Sequence, residues 1–269
     1  MTQVLVKGTA WERSLEDYAY VTGLDRPGWA WEFLRLNPDY QRDFRTNKAG
    51  TPTAIKHHSG AVYYRLRRKF LAAERWGLMM LSDPTKTSLE VGIHWQKGSI
   101  ARHVFCIAKP ANDNPKAAES LSEFVGRKHV LVFGNHEHLS IQSGTISARL
   151  MIGDASLVVQ DCELNFQIEG LDRLNSVTET LACLRRLKSK QPILSSTFGQ
   201  TELRLRECLI ALDGHLAGRS YRDIAEVLYG RDRVKEVWTN ETRHLKDKVR
   251  RAVAAGIDYM NGGYLKLLQ

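Results

Sequence analysis

Residues Gly218–Gly230 read GRSYRDIAEVLYG and predict a short helix between two tight turns. Ser220 suits the capping position of this helix, because its hydroxyl can accept a hydrogen bond from an amide of the first turn. Ala225 is a small residue at which a neighbouring helix can approach closely, and Gly230 ends the segment. The stretch therefore predicts one helix of a tightly packed helical unit.

Apolar residues at helical spacing predict a further helix on each side of this stretch. The downstream helix is predicted over 239–255, after a basic connector that contains Arg231, Arg233 and Lys235. The upstream stripe consists of Leu205, Cys208, Leu209, Leu212 and Leu216, and the downstream stripe of Leu245, Val249 and Val253. Three helices with a tight turn and a small residue in the second are what a helix-turn-helix unit requires.

The third predicted helix carries a local excess of positive charge. Between Arg243 and Arg251 there are five basic residues and one acidic residue, Asp247. Helical geometry places Arg243, Lys246 and Arg250 on one face, so we predict that these three read bases in the major groove of DNA. The predicted phosphate contacts are Ser220, Tyr221, Arg222, Lys248 and Arg251. A solvated basic face on a core helix is the alternative interpretation.

A second basic region lies near the other end of the chain. Residues 35–75 contain ten basic and three acidic residues, and a helix is predicted over Ala61–Trp76. One side of that helix would carry Arg65, Arg67, Arg68 and Lys69. Both a second nucleic-acid contact and a solvated helix face remain open for it.

The rest of the chain predicts an α+β fold with a helical N-terminal region, an antiparallel β-rich middle and a helix-turn-helix C-terminal domain. We place the domains at 1–80, 81–169 and 170–269. Helices are predicted over 11–22, 28–36, 39–45 and from 170 to 190. Alternating residues predict strands over 129–133, 137–142, 145–152, 156–160 and 163–168, with 88–95 and 103–107 as further candidates. Residues 109–115 have the composition of a linker.

Composition excludes several protein classes. The 269 residues carry a net charge of +9, and 43 % of them are hydrophobic, which is typical of globular proteins rather than disordered ones. No apolar run has the length of a membrane span, and no secretory signal is visible, so we expect no membrane partner. The four cysteines form no Cys-x-x-Cys pair, which favours buried thiols in the reducing cytoplasm.

Signatures of catalysis are sparse, and we predict a protein that is not an enzyme. His136 and His138 would share one face of a strand and could ligate a metal, with His129 or His103 as a third ligand. Two exposed histidines on a sheet are the more common situation. No nucleophile elbow and no Walker loop is present, and we expect no metal and no cofactor.

Two motifs resemble a known family. Residues 29–44, WAWEFLRLNPDYQRDF, resemble the signature of a proteobacterial transcriptional-regulator-like N-terminal domain. The stretch from Ser220 to Leu268 is similar to a domain of formerly unknown function that often accompanies it in alphaproteobacterial mobile elements. Proteins that combine the two resemble activators of the excision of integrative and conjugative elements. This resemblance implies promoter binding, transcriptional activation and control by a small antiactivator protein.

We therefore interpret the chain as a transcriptional activator that binds double-stranded promoter DNA, with RNA polymerase as its protein partner. Trp29, Phe33 and Leu36 fall at helical spacing and are expected in the core, although a protein contact is an alternative. Three other functions remain open: a plasmid replication initiator, a metal-dependent nuclease that uses His136 and His138, and a partner-binding module without DNA contacts.

Overall fold

The computed structural model describes residues 13–111, 117–189, 199–237 and 242–269. Within these ranges the chain forms two compact units. A helical unit combines the described residues of 1–41, 83–89 and 196–267, and a sheet unit combines those of 42–82, 90–195 and 268–269. The predicted α+β class is confirmed, whereas the division into three consecutive domains remains a prediction.

The N-terminal part of the helical unit is built around the aromatic motif. A 3₁₀ segment, Glu16–Gly23, precedes helix α1, Arg26–Leu34. Asp25 caps α1 by accepting a hydrogen bond from the amide of Gly28 at 2.9 Å, and Pro27 occupies the first turn, where its missing N–H costs nothing. Every α1 residue after Arg26 is buried, which confirms the core expectation for Trp29 and Phe33. Helix α2, Pro38–Asn47, follows.

Helix α1 and the residues on either side of it pack within the same unit against residues about two hundred positions later. The rings of Phe33 and Tyr259 stack with 4.7 Å between centroids. The side-chain amide of Asn37 donates to the carbonyl of Met260 at 3.1 Å. The Tyr18 hydroxyl donates to the Asp213 carboxylate. The late helices of this unit are α5 (Gln200–Leu216), α6 (Tyr221–Tyr229), α7 (Arg231–Val237) and α8 (Thr242–Met260). A 3₁₀ segment, Gly263–Leu268, follows α8.

The sheet unit contains a seven-stranded sheet in the order β1-β2-β4-β5-β6-β3-β7. Its strands are β1 (Ile55–Lys56), β2 (Ala61–Leu66), β3 (Val104–Pro110), β4 (Arg127–Phe133), β5 (His136–Ser143), β6 (Ile146–Asp154) and β7 (Cys162–Gln167). The short helix α3, Leu71–Glu74, and the longer α4, Leu174–Lys188, complete the unit. One sheet face, with Leu139 and Ile152, packs against Val177 and Leu187 of α4 and forms the main core.

Strand pairing is mixed rather than purely antiparallel. Strands β4, β5 and β6 form an antiparallel meander, as the alternating pattern predicted. Strand β2 nevertheless pairs in parallel with β4, and β3 pairs in parallel with β6. Parallel partners are brought together by long connections, which a residue-by-residue pattern does not reveal.

The predicted helix over Ala61–Trp76 is wrong. Residues Ala61–Leu66 are strand β2, a turn follows, and only the short α3 is helical. This stretch favours a strand because Val62 is β-branched and Tyr63 and Tyr64 are aromatic. Pairing with β4 outweighs the helical spacing of Val62 and Leu66.

Three smaller expectations also differ. The described part of the predicted helix over 11–22 is the 3₁₀ segment. Of the predicted strands, residues 88–95 contribute only one bridge, from Trp95 to Leu78, and residues 156–160 form a turn. Most of the predicted linker over 109–115, namely residues 112–115, lies outside the described residues. The cysteine expectation fits: Cys106, Cys162 and Cys208 are buried and all four thiols are free. Across the described ranges, no helix is both long and apolar enough to cross a membrane.

Candidate nucleic-acid interface

The stretch around Ser220 forms the turn and cap that its sequence predicted. Gly218 adopts φ 73°, a left-handed conformation that favours glycine, and reverses the chain after α5. The Ser220 hydroxyl accepts from the amide of Asp223 at 3.2 Å, and the Asp223 carboxylate accepts from the Ser220 amide at 3.1 Å. This reciprocal capping box fixes the start of α6.

A compact core holds the four late helices together. Ile224 and Ala225 of α6, Val234 of α7 and Val249 of α8 are fully buried in one cluster. Helices α5 and α8 approach so closely that a Cβ on Gly256 would lie 2.7 Å from the carbonyl oxygen of Cys208. The outward faces of these helices therefore rest on a rigid support.

The predicted basic connector is partly a helix. Helix α7 begins directly after Gly230, which has φ 88°. Its basic residues Arg231, Arg233 and Lys235 are exposed, while Val234 points into the core. The prediction missed this helix because seven residues contain too few apolar positions to define a period.

Helix α8 carries the predicted basic face. Lys246, Lys248, Arg250 and Arg251 are exposed, whereas Leu245, Val249 and Val253 are buried. At about 100° per residue, Lys246 and Arg250 lie within about 40° of each other, and Lys248 and Arg251 form a second basic stripe. Arg243 lies in the first turn of α8, and its side chain is outside the described residues.

Local pairs hold some of these side chains in place. The Arg250 Nη2 lies 3.3 Å from the Asp247 carboxylate, and the Arg251 Nε donates to the Asp247 carbonyl at 3.3 Å. The Lys248 Nζ lies over the ring of Tyr229, 5.1 Å from its centroid. Surface pairs of this kind contribute little stability, so the cations can exchange partners when a polyanion approaches.

The predicted phosphate contacts on α6 have partners of their own. The Ser220 hydroxyl takes part in the capping box, and Arg222 Nε donates to Glu226 at 3.3 Å. Tyr221 is half-buried against the core cluster. Asp223 and Glu226 make this helix end more acidic than α8. Contacts from Ser220, Tyr221 and Arg222 to phosphate stay a prediction.

The second basic region has a different geometry from the predicted one. Arg65 lies on strand β2, and Arg67, Arg68 and Lys69 follow in the turn after it, so the four do not line one helix face. All four side chains are exposed. They remain candidates for an additional nucleic-acid contact from the sheet unit.

The histidine pair lies on β5, at its exposed start. His136 is exposed with its ring 5.7 Å from that of Phe105, and burial lowers the pKa of His138 to about 4. Among the described residues, no three His, Cys, Asp or Glu side chains are placed to hold a metal ion. No contact in this region favours the nuclease interpretation.

Two segments of the chain match family models. Residues 160–269 match the model described as "T6SS, Transcription factor, DNA binding domain", and residues 11–80 match the "Proteobacterial transcriptional regulator-like domain". No curated protein sequence matches the chain. The two matches support a DNA-binding transcriptional regulator, and neither description names an enzymatic activity.

Proposed function

We propose that the chain is a sequence-specific transcriptional activator that inserts the first half of α8 into the major groove of promoter DNA. The observation that carries this proposal is the exposed pair Lys246 and Arg250, which stands on a helix anchored by buried Leu245 and Val249. Arg243 is assigned to the same face from its position in α8. A rigid helix with adjacent Arg and Lys side chains suits the donor and acceptor pattern of base edges.

In this proposal the second basic stripe, Lys248 and Arg251, holds phosphates beside the groove. Lys248 lies against Tyr229 of α6, so this stripe continues toward the neighbouring helix. The turn at residues 217–220 joins α5 to α6, and both helices support α8 through the shared core cluster. The match of residues 160–269 to a DNA-binding domain supports the choice of this unit.

The finer parts of the proposal rest on the sequence motifs. The chain is proposed to act in the cytoplasm on RNA polymerase at promoters of excision or transfer genes of a mobile element. A small antiactivator protein is the proposed negative regulator. The match of residues 11–80 to a regulator-like domain supports a regulatory role for the N-terminal region.

DNA footprinting with the purified full chain tests the interface. The probe is the DNA upstream of its own gene, and binding is measured over a salt series. Replacement of Lys246 and Arg250 by Gln should weaken specific binding about 5- to 150-fold for each lost base contact. Lys248→Gln should instead reduce the slope of log affinity against log salt by about 0.9. Unchanged protection in the Lys246→Gln, Arg250→Gln variant would overturn the assignment of α8.

Arg186→Gln is the matched control, because it removes one exposed positive charge from α4. This variant should bind as the parent does. In vitro transcription with purified RNA polymerase then tests activation, and stimulation should disappear with the Lys246→Gln, Arg250→Gln variant. Binding without any increase in transcript would refute the activator role and leave the DNA-binding role standing.

A further inference from the structure

A small cavity with a mixed polar and apolar lining lies in the sheet unit, on the face of β5 and β6 that is turned away from α4. Its volume is about 40 Å³. Three histidines, His94, His103 and His138, line it together with Lys97 and Arg149. The loop over residues 93–103 supplies the first part of this lining, and the strands supply His138 and Arg149.

Two of the imidazoles direct unsatisfied nitrogen atoms into a buried setting. His94 is 4 % exposed and His103 is 8 % exposed. The Nε2 atom of each is fully buried and has no hydrogen-bond partner among the described residues. A buried polar atom without a partner costs free energy comparable to a lost hydrogen bond, so pairing either atom with a ligand group would stabilise the complex.

The other side of the His103 ring is anchored. Its Nδ1 lies 3.1 Å from the carbonyl oxygen of Ile100 and 3.3 Å from Nη2 of Arg173. The ring therefore has a fixed orientation, and in the tautomer in which Nδ1 accepts from Arg173, Nε2 carries the proton and can donate to an anion. Fixed donors and acceptors around a small cavity are what distinguishes a binding site from a packing defect.

The charge of the lining selects the ligand. Lys97 and Arg149 are cationic, and no Asp or Glu is among the described residues that line the cavity. Lys97 Nζ also bonds Glu169 at 2.8 Å, and its side chain is 47 % exposed, which places it at the mouth. Arg149 donates to the Ser147 hydroxyl at 3.1 Å and lies opposite Ser140 in the strand register.

Burial keeps the imidazoles from adding charge of their own. It lowers the pKa of His94 and of His103, and it lowers that of His138 to about 4. A neutral imidazole offers one N–H donor and one acceptor nitrogen. Two cations beside the rings disfavour a metal ion, because a divalent cation would be repelled.

We propose that this cavity binds the carboxylate or phosphate group of a small-molecule ligand, with Arg149 and Lys97 as counter-charges and the buried histidines as hydrogen-bond partners. A water molecule needs about 10–15 Å³ of such space, so 40 Å³ accommodates an oxyanion group rather than a whole metabolite. The remainder of the ligand would extend past Lys97. Charge-assisted bonds to Arg and Lys are the strong hydrogen bonds of such sites.

Isothermal titration calorimetry on the full chain tests this proposal. Inorganic phosphate and acetate are titrated separately into the protein, and chloride at equal ionic strength is the control titrant. One of the two anions should bind with 1:1 stoichiometry and a Kd of roughly millimolar, as expected for a fragment of this size. The anion that binds more tightly identifies the preferred oxyanion. Arg149→Gln should weaken binding at least about tenfold.

Two control variants separate this cavity from other anion sites. Arg102 directly precedes His103 in the sequence, pairs with Glu179 at the surface and does not line the cavity. The Arg102→Gln variant should therefore change the Kd of the anion by less than about twofold. The Lys246→Gln, Arg250→Gln variant removes the proposed DNA face and should retain the anion site. His94→Gln, checked for folding by circular dichroism, should weaken binding in the same direction as Arg149→Gln.

Absence of saturable binding for both anions would overturn the proposal, as would a Kd that Arg149→Gln leaves unchanged. Loss of anion binding in the Lys246→Gln, Arg250→Gln variant alone would assign the anion to the DNA face instead and equally refute it. Because the proposed DNA contacts lie in the other unit, either result leaves the DNA-binding proposal to its own test.

Discussion

Acidification should destabilise the sheet unit through its buried imidazoles. Burial, together with the neighbouring Arg127, lowers the pKa of His129 to about 4, and burial beside His136 and His103 lowers that of His138 to the same value. An unfolded histidine titrates near 6.5. The folded state therefore binds fewer protons than the unfolded state at any pH between these values.

The sign and size of the effect follow from proton linkage. The stability contributed by a neutral buried imidazole is complete above pH 6.5 and is lost as the pH falls toward 4, because the unfolded chain takes up protons first. The loss approaches about 1.4 kcal/mol per pH unit for each group, so each imidazole should cost about 2 kcal/mol at pH 5. His94, whose pKa burial also lowers, acts with the same sign. Against a typical total of about 5–15 kcal/mol this is a large fraction.

Urea denaturation at pH 7.5, 6.0 and 5.0, followed by circular dichroism, measures this loss. His129→Gln and His138→Gln should each flatten the pH dependence by about 2 kcal/mol between pH 7.5 and 5.0. His215→Gln, at an exposed position in the last turn of α5, is the control and should keep the full slope. Burial raises the pKa of Glu137, so protonation of this carboxyl above its ordinary value opposes the trend in the acidic part of the series. A parent protein equally stable at all three pH values would refute the reasoning.

Three further predictions concern the helical unit, each measured as a change in thermal or urea stability. Ser220→Ala removes the capping box with Asp223 and should cost about 1 kcal/mol, whereas no loss would show that the cap is dispensable. Gly256→Ala places a methyl group 2.7 Å from a backbone carbonyl of α5. The resulting overpacking should cost about 1–3 kcal/mol, which exceeds the gain in helix propensity of alanine over glycine. A raised Tm would contradict the close approach of the two helices. Tyr18→Phe leaves buried Asp213 without this hydroxyl donor and should cost about 1–3 kcal/mol, and a neutral result would argue against the bond.

The sequence predicts best where local chemistry decides the structure. Ser220 and Gly218 act through their own backbone and the next turn, so the start of α6 is readable from a few letters. The predicted start of α1 at residue 28 lies two positions late, although Asp25 and Pro27 are the local signals that begin this helix at Arg26. Amphipathic spacing identifies the buried face of α8 for a similar reason, because one helix presents its own period.

Features that depend on distant partners escape such reasoning. Val62 and Leu66 have helical spacing, but β4, more than sixty residues later, recruits them into a sheet. The cavity brings His94 of a loop together with Arg149 of a strand, and no spacing in the sequence relates these two residues. The spacing of His138 from His136 places the two on one strand face, whereas the position of His138 beside His94 and His103 depends on tertiary structure.

The contacts that α8 makes with α1 and with Asn37 can form only late in the synthesis of the chain. Asn37 and its partner Met260 are separated by 223 positions, a distance that a ribosome covers in about 10–45 s at about 5–20 residues per second. During that interval the aromatic residues of α1 have been synthesised, but Tyr259, on which Phe33 stacks, has not. The nascent chain therefore carries an apolar surface, including Trp29 and Trp31, that chaperones can bind until α8 leaves the exit tunnel. The helical unit that carries the proposed DNA-reading face is consequently among the last parts of the molecule to become native.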